Sequence, residues 1–328
     1  MAQCYLMARK ATVVTLATIA RRCRVSIATV SKALSDEPSR CDLPPATTAR
    51  IRAAAERLGY AAGWRRARLK ATIALVLPGQ HFYLSGTYFD LIPQLLHACD
   101  TVDAILVTVA VAKARSLDSE LTRRQACGAI IVQADRAWMD EARPTRYPLV
   151  LYNNDVGPDC LHVMPDERAN VQLALTFLAD QGHQQFCYLD AIDNNQHCSV
   201  QQRRDAMHDA HGKNGKIIHV TNQRDGLMAA IRAGSTAVMT YDGKSALTAL
   251  GWLTESGIRI PHDVSLLAMS NSELLAHAWP SITMVWHSVD QMALAAVHAA
   301  MAPPEGAKGG IFPGKIVAGG STSPPRRK

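Results

Sequence analysis

Two patterns of apolar spacing divide this 328-residue chain. In the first, near the N-terminus, apolar residues recur at three- and four-residue steps. Leu16, Ile19, Ala20 and Cys23 share one helical face behind Thr15, a good N-cap. Arg24-Val25 breaks the pattern, and Ser26 caps a second helix over 27–35 with Val30, Ala33 and Leu34 inward. A breaker-rich loop, 36–45, separates it from a third helix over 46–58. That helix turns Ile51, Ala54, Ala55 and Leu58 inward, and Gly59 stops it.

The second pattern starts at Thr72, where short apolar runs alternate with amphipathic segments. Strands are expected at 72–79, 104–111, 128–134, 148–154, 186–191, 216–220, 236–241 and 264–270. Helices are expected at 88–99, 117–126, 167–181, 200–210, 225–233 and 243–256. Such alternation implies parallel sheets covered by helices on both faces, with right-handed crossovers. Open parallel sheets bind ligands beyond the carboxyl ends of their strands. That rule draws attention to Pro78-Gly79, Asn153-Asn154, Tyr241-Asp242 and Ser270-Asn271. Two such sheets would face each other across a cleft.

Charge adds a partner to this picture. Residues 1–71 hold 14 Lys or Arg against 4 Asp or Glu, and the remainder holds 21 against 24. The net charge of +7 therefore comes from the first fifth of the chain. A local cationic excess on two short helices joined by a tight turn fits a helix-turn-helix, whose second helix enters a DNA major groove by its N-terminal end. The exposed face of that helix is Ile27, Ala28, Thr29, Ser31 and Lys32. Arg65, Arg66, Arg68 and Lys70 crowd the following linker. Such a segment can order when phosphates neutralise it, with Leu69 as an apolar wedge for the minor groove.

Other features narrow the class. No apolar run is long enough for a membrane span, and the N-terminus lacks the order of a signal peptide, so a cytoplasmic, nucleoid-associated protein without membrane contact is expected. The eight cysteines lack metal-ligand spacing and are read as small core residues. No metal and no cofactor is expected. There is no nucleophile elbow, phosphate-binding glycine loop or paired carboxylates at a strand end, so no enzyme and no catalytic residue is expected. Asp242 is placed like a base but has no evident partner.

The chain resembles the LacI/GalR family of transcription regulators. The resemblance rests on TLATIA, VSIATVSKALS and AAAERLGY in the head. In the core it rests on HVMPDERANVQLALTFLADQGHQQFCYL, IRIPHDVSLLAMSNSELLAHAWPSITMV and the tail IVAGGSTSPP. It implies an all-α helix-turn-helix head and an α/β core of two parallel, doubly wound subdomains with the periplasmic-binding-protein type I fold. The expected boundaries are an extension at 1–14, the head at 15–60, a hinge at 61–71 and the core at 72–328. Within the core, one subdomain is expected at 72–155 and 284–310, the other at 156–283 and 311–325. A homodimer on a near-palindromic double-stranded DNA operator, controlled by a small effector in the cleft, is implied. The absence of a heptad tail favours a dimer over a tetramer.

Carried over by position, Ile27, Ala28 and Lys32 read bases, while Thr15, Ser26, Thr29 and Ser31 contact the DNA backbone. Arg66, Arg68 and Leu69 belong to the hinge. Tyr83, Asn153, Arg203, Tyr241, Ser270 and His287 fall at effector-facing positions, with Arg203 able to make forked contacts. The departures are informative. Arg24 stands at a common turn glycine, the hinge order is Arg66-Ala67, and the linker to Ile73 is short. Tyr241 stands at an asparagine, Ser270 at a sugar-clamping aspartate and Gly319 at an arginine. With Arg203 kept and that carboxylate lost, a sugar acid or sugar phosphate is favoured over a neutral sugar. The competing classes are a solute-binding receptor with the same core, which would need an export signal and no basic head, and an enzyme.

Overall fold

A computed structural model describes residues 15–34, 43–58, 71–78, 90–142, 145–191, 197–213, 215–221, 223–301 and 309–326. The chain divides into two units, Met1–Lys70 and Ala71–Lys328.

In the first unit, α1 (Leu16–Cys23) and α2 (Ile27–Ala33) are joined by three residues. The Thr15 hydroxyl accepts from the Thr18 amide, and the Thr15 amide donates to the Thr18 hydroxyl at 3.4 Å, closing a capping box. Ser26 caps α2 by accepting from the Thr29 amide at 3.0 Å. Arg24 has φ 52°, the left-handed conformation that a glycine adopts freely. The departure from a turn glycine therefore keeps the turn and accepts some strain. Helix α3 (Pro45–Arg57) closes a core of Ile19, Ala20, Cys23, Val30, Ala33, Ile51, Ala54 and Ala55. Leu16, Leu34 and Leu58 are only half-buried around it.

The second unit holds two six-stranded sheets. The first runs β11-β5-β4-β3-β1-β2, from β1 (Ala71–Pro78), β2 (Ala104–Val111), β3 (Ala126–Val132), β4 (Leu149–Tyr152), β5 (His162–Pro165) and β11 (Gly310–Phe312). The second runs β12-β10-β9-β8-β6-β7, from β6 (Gln185–Leu189), β7 (Lys216–Val220), β8 (Ala237–Thr240), β9 (Ser265–Ala268), β10 (Thr283–Trp286) and β12 (Lys315–Val317). Every pairing is parallel except β10 with β12. The strands of central position are buried on both faces, as Ile73–Val76 and Phe186–Leu189 illustrate.

Helices α4 (Leu91–Thr101) and α12 (Val289–Met301) cover one face of the first sheet. The turn Ala114–Ser116 with α5 (Leu117–Arg123) and α6 (Arg136–Ala142) covers the other. At Gly128 a Cβ would fall 1.9 Å from the Ala300 carbonyl, so α12 lies directly on β3 and only glycine fits. The second sheet is covered by α7 (Glu167–Asp180) and α8 (Cys198–Ala210) on one face. On the other lie α9 (Arg224–Arg232), α10 (Gly243–Glu255) and the short α11 (Glu273–Ala276).

Several expectations shift. Helix α5 ends at Arg123 rather than 126, because Gln125 takes φ 55° and Ala126 already enters β3. Strand β5, unassigned from the sequence, pairs with β4 and β11, so the first chain crossing follows Pro165 and not 155. Strand β10 pairs with β9 and β12, which moves the second crossing from 283 to beyond Trp286. Strand β11 pairs with β5, so the third crossing lies between Phe312 and Lys315 rather than at 310. In each case the strand hydrogen bonds, not the apolar pattern, decide which sheet a residue joins. Gly319 also has a reason: a Cβ there would meet the Ser281 carbonyl at 2.5 Å, which leaves no room for an arginine.

Among the described residues, no helix is long and apolar enough to cross a membrane. Cys23, Cys99, Cys160 and Cys187 are buried and reduced; Cys127 and Cys198 are half-buried and reduced. Cys4 and Cys41 lie outside the described residues.

Candidate functional sites in the head and between the sheets

In the head, the inward stripe of α2 leaves its other side to solvent. Ile27 is 53% exposed, an unusual position for a large apolar side chain at a helix N-terminus. Thr15, Ser26, Ala28, Ser31 and Lys32 are also exposed, and Thr29 is half-buried. The Ser26 and Thr29 hydroxyls are 2.8 Å apart and hold the first turn of α2. Arg52 of α3 donates to the Ala33 carbonyl at 3.1 Å and ties the end of α2 down. The result is a rigid helix end that presents a methyl-rich, hydroxyl-bearing surface with one ammonium group. Arg66, Arg68, Leu69 and Tyr83 lie outside the described residues.

In the second unit, polar side chains converge where the strands of both sheets end. Helix α8 buries Ser199, Val200, Arg203, Ala206, Met207 and Ala210, so its arginine sits on the inward stripe. Arg203 is only 3% exposed. Its Nε donates to Glu167 Oε2 at 2.6 Å and its Nη2 to Oε1 at 2.9 Å, a forked pair. Its Nη1 donates to the Tyr241 carbonyl, and its guanidinium lies 4.8 Å over the Tyr241 ring. Burial opposes the Arg203 charge, but Glu167 outweighs it and holds the pKa above the ordinary arginine value.

A hydrogen-bonded chain runs outward from this pair. The Tyr241 and Ser199 hydroxyls are 2.8 Å apart, and Ser199 Oγ is 2.8 Å from His197 Nδ1. His197 Nε2 meets the Asn153 carbonyl, at the end of β4 in the other sheet. Asn153 itself has φ 54°, which turns its carbonyl toward the gap. Burial pushes the His197 pKa down, against the pull of that carbonyl and of Glu167. Burial raises the Tyr241 phenol, against the pull of Arg203 and Ser199.

His287, just past β10, is fully enclosed at 3% exposure, and neither ring nitrogen has a well-formed hydrogen bond. Burial lowers its pKa to about 4; Glu167 acts against this, Arg203 with it, and the Met269 backbone weakly against it. Ser270 is buried, its hydroxyl 3.5 Å from the Asn271 carbonyl. A second link crosses between the sheets here: Asn271 Nδ2 donates to Asp90 Oδ2 at 3.3 Å. Burial and nearby Glu273 raise the Asp90 pKa, and the Asn271 bond partly offsets this.

The structure thus gathers Arg203, Tyr241, Asn153 and His287 around one buried charge pair, with Ser270 on the neighbouring strand end. Sequence reasoning missed Glu167, His197, Ser199 and Asp90. A signal for Glu167 existed. Glu167, Asn170, Val171, Ala174, Leu175 and Leu178 form the inward face of α7 at helical spacing, so an acid lay on the apolar stripe. Two neighbours resolve into structural roles. Arg204 pairs with buried Asp190, its Nε 2.6 Å from Oδ2. Asp242 caps α10, accepting from the Ser245 amide at 2.8 Å and its hydroxyl at 2.7 Å.

The same geometry changes the charge balance expected around Arg203. With serine at position 270, Arg203 is still not an uncompensated cation. Glu167 satisfies two of its donors.

Comparison with known proteins agrees with the fold and the head. The profile of the periplasmic binding protein-like domain family matches residues 175–322. The HTH-type transcriptional regulator MalR of Streptomyces coelicolor is 27% identical over 310 residues, covering 86% of this chain and 88% of MalR. The HTH-type transcriptional regulator GalR of Escherichia coli is 25% identical over 314 residues, covering 88% of each. The chain is thus similar along most of its length to HTH-type transcriptional regulators, GalR among them. Among solved structures, the Lac repressor dimer bound to operator and the anti-inducer ONPF superposes with a TM-score of 0.69 at 17% identity. That match covers 94% of this chain and 99% of the repressor. The regulator CelR in complex with cellobiose gives 0.61 at 19%, with the same coverage. As in those solved structures, a helical head and a two-sheet core are both present in this chain.

Proposed function

We propose that this chain is a LacI/GalR-family, sequence-specific DNA-binding regulator, acting as a repressor, whose operator affinity is set by a small neutral sugar held between the two sheets. The observation that carries the reading is the exposed N-terminal face of α2 on a cationic head, with Ile27 more than half exposed. Exposing that side chain costs hydrophobic free energy unless it meets an apolar surface, and a thymine methyl in a major groove is one. Lys32, one turn on, is placed to donate to a guanine, while Thr15, Ser26, Thr29 and Ser31 lie along the phosphates. Arg66, Arg68 and Leu69 would complete the hinge contact.

Two-fold dimerisation matches near-palindromic DNA. A ligand that prefers one spacing of the two sheets would shift the separation of the heads in the dimer and so couple to DNA affinity. Asn153, Arg203, Tyr241, Ser270 and His287, with Tyr83, make up the proposed effector site. Localisation with the nucleoid follows from the same reading.

Binding-site selection followed by titration at several salt concentrations tests this. A selected duplex should bind at least a thousandfold tighter than random competitor, with log K falling linearly with log salt, the range expected for specific sites being about 10³–10⁷. Lys32→Ala should relax base preference at one position of each half-site, at a cost of about 1–3 kcal/mol. An equal loss on every duplex would assign Lys32 to phosphate alone, and no preference for any duplex would refute the proposal.

A further inference from the structure

The Glu167–Arg203 pair does more than stabilise a helix contact. Both groups are almost fully enclosed, at 4% and 3% exposure. Both oxygens of the carboxylate are engaged by the guanidinium, and the third engaged nitrogen is held by the Tyr241 carbonyl. No protein cation other than Arg203 is bonded to Glu167, so the pair is closed on itself among the described residues. His287, enclosed beside it, is neutral at ordinary pH because burial disfavours its charged form. Tyr241, Tyr188, His197 and His287, all uncharged, are among the groups that feel the pair's charge on its inner side, whereas Glu167 also borders a cavity lined by Asp155, Asp166, Arg168 and Asp205.

We infer that Glu167 is the residue that sets the class of ligand: by pre-occupying Arg203 it makes the cleft select uncharged polyhydroxyl compounds and reject sugar acids and sugar phosphates. This rests on the reading of Arg203 as an effector contact. The physical reason is an exchange cost. An incoming carboxylate or phosphate must displace Glu167 to reach the guanidinium, and Glu167 is then left as a buried, unpaired anion beside a second one. A hydroxyl displaces nothing. Nη1 and Nη2 each carry a second hydrogen, and the carboxylate oxygens have further lone pairs. The pair thus offers donor and acceptor side by side, which matches a hydroxyl that accepts from one and donates to the other.

The test uses the full chain and small anions that need no knowledge of the effector. Thermal unfolding is followed with sodium formate against sodium chloride at equal ionic strength. Wild type should respond equally to both. Glu167→Ala should unfold several degrees lower and regain stability saturably with millimolar formate, which takes the place of the lost carboxylate. Glu167→Ala/Arg203→Met should lose that rescue. If Glu167→Ala does not fold, Glu167→Gln keeps the side-chain volume, and calorimetry with inorganic phosphate should show at least tenfold tighter binding than wild type. An Arg203-dependent formate response in wild type would overturn the inference, as would the absence of any anion gain in both variants. A panel of neutral sugars and their uronic acids adds a direct arm: tighter binding of wild type to an acid than to its neutral parent also refutes it. If no sugar binds, the effector reading fails, while the anion arm still decides the role of Glu167.

Discussion

The two lobes of the core are built on the same strand order, yet they bury different chemistry. Each sheet places its second strand at one edge, its first strand next to that edge, and a strand from the C-terminal region at the other edge. In the first lobe the buried side chains are apolar, apart from the Tyr152 phenol and the weakly polar sulfurs of its cysteines and methionines. In the second, Glu167, Asn170, His183, Asp190, Arg203, Asn271 and His287 are all buried among serines and threonines. Every buried polar or charged residue among those described lies in the second lobe. Topology therefore does not dictate interior chemistry. The first lobe is a packed scaffold whose stability comes from apolar area, and the second carries groups whose exact pairing determines both stability and recognition.

The largest test of that contrast is to break the charge pair. Arg203→Met leaves Glu167 enclosed without a partner and should cost about 3–5 kcal/mol in denaturant unfolding. The double variant Glu167→Met/Arg203→Met should recover most of that loss, because two apolar side chains of similar volume replace the ions. Leu95→Ala, in the apolar core of the first lobe, should cost about 2–5 kcal/mol with no second substitution that restores it by neutralising charge. If the double variant stays as unstable as the single, the pair is a structural necessity and the lobes differ less than their interiors indicate.

Acid provides the next test. His287 has a folded pKa of about 4, below its unfolded value near 6.5. The unfolded chain thus takes up its proton first as pH falls. The stability linked to this group is intact above about pH 6.5 and is lost progressively down to about pH 4, amounting to roughly 3 kcal/mol. Burial lowers His183 and His197 too, and both lie in the second lobe. No buried histidine lies among the described residues of the first lobe. Hydrogen exchange between pH 7 and pH 4 should therefore show β8 to β10 losing protection before β1 and β3. Equal loss in both lobes would remove histidine burial as the cause.

Much of this was legible in the sequence, and the exceptions have a common cause. Strands 104–111 and 216–220 fall within their expected limits, because apolar runs with clear breakers report local structure. The capping residues Thr15 and Ser26 were legible for the same reason. Strand β5 was not: HVMP is four residues long with no alternation, and its pairing with β11 joins segments nearly 150 positions apart. Arg203 stood out by its place in a family motif, but its charge state in the cleft depended on Glu167, 36 positions away on another helix. Charge compensation between distant helices leaves little local trace. The acid on the inward stripe of α7 was the one clue, and an acid in the first turn of a helix is ordinarily read as favourable to the dipole and solvated.

The smallest effect concerns the weaker of the two links described between the lobes. Asn271 in the second lobe donates to Asp90 in the first at 3.3 Å, a long bond to a half-buried carboxylate. Asn271→Ala should cost no more than about 1 kcal/mol of stability, the lower end for hydrogen bonds of this kind. Its clearer signature is in Asp90. Burial and Glu273 already raise that carboxyl, and the Asn271 bond is what opposes them. Removing the bond should raise the Asp90 pKa further, measured by NMR titration of the side-chain carboxyl. A raised carboxyl pKa in the folded state makes the ionised form a liability, so the variant should lose slightly more stability above that pKa than below it. A small stability change with a clear pKa rise would mark the contact as a weak latch between an apolar lobe and a polar one. A loss as large as that of Arg203→Met would instead make the two lobes one cooperative body at this joint, and their different interiors would no longer imply separate roles.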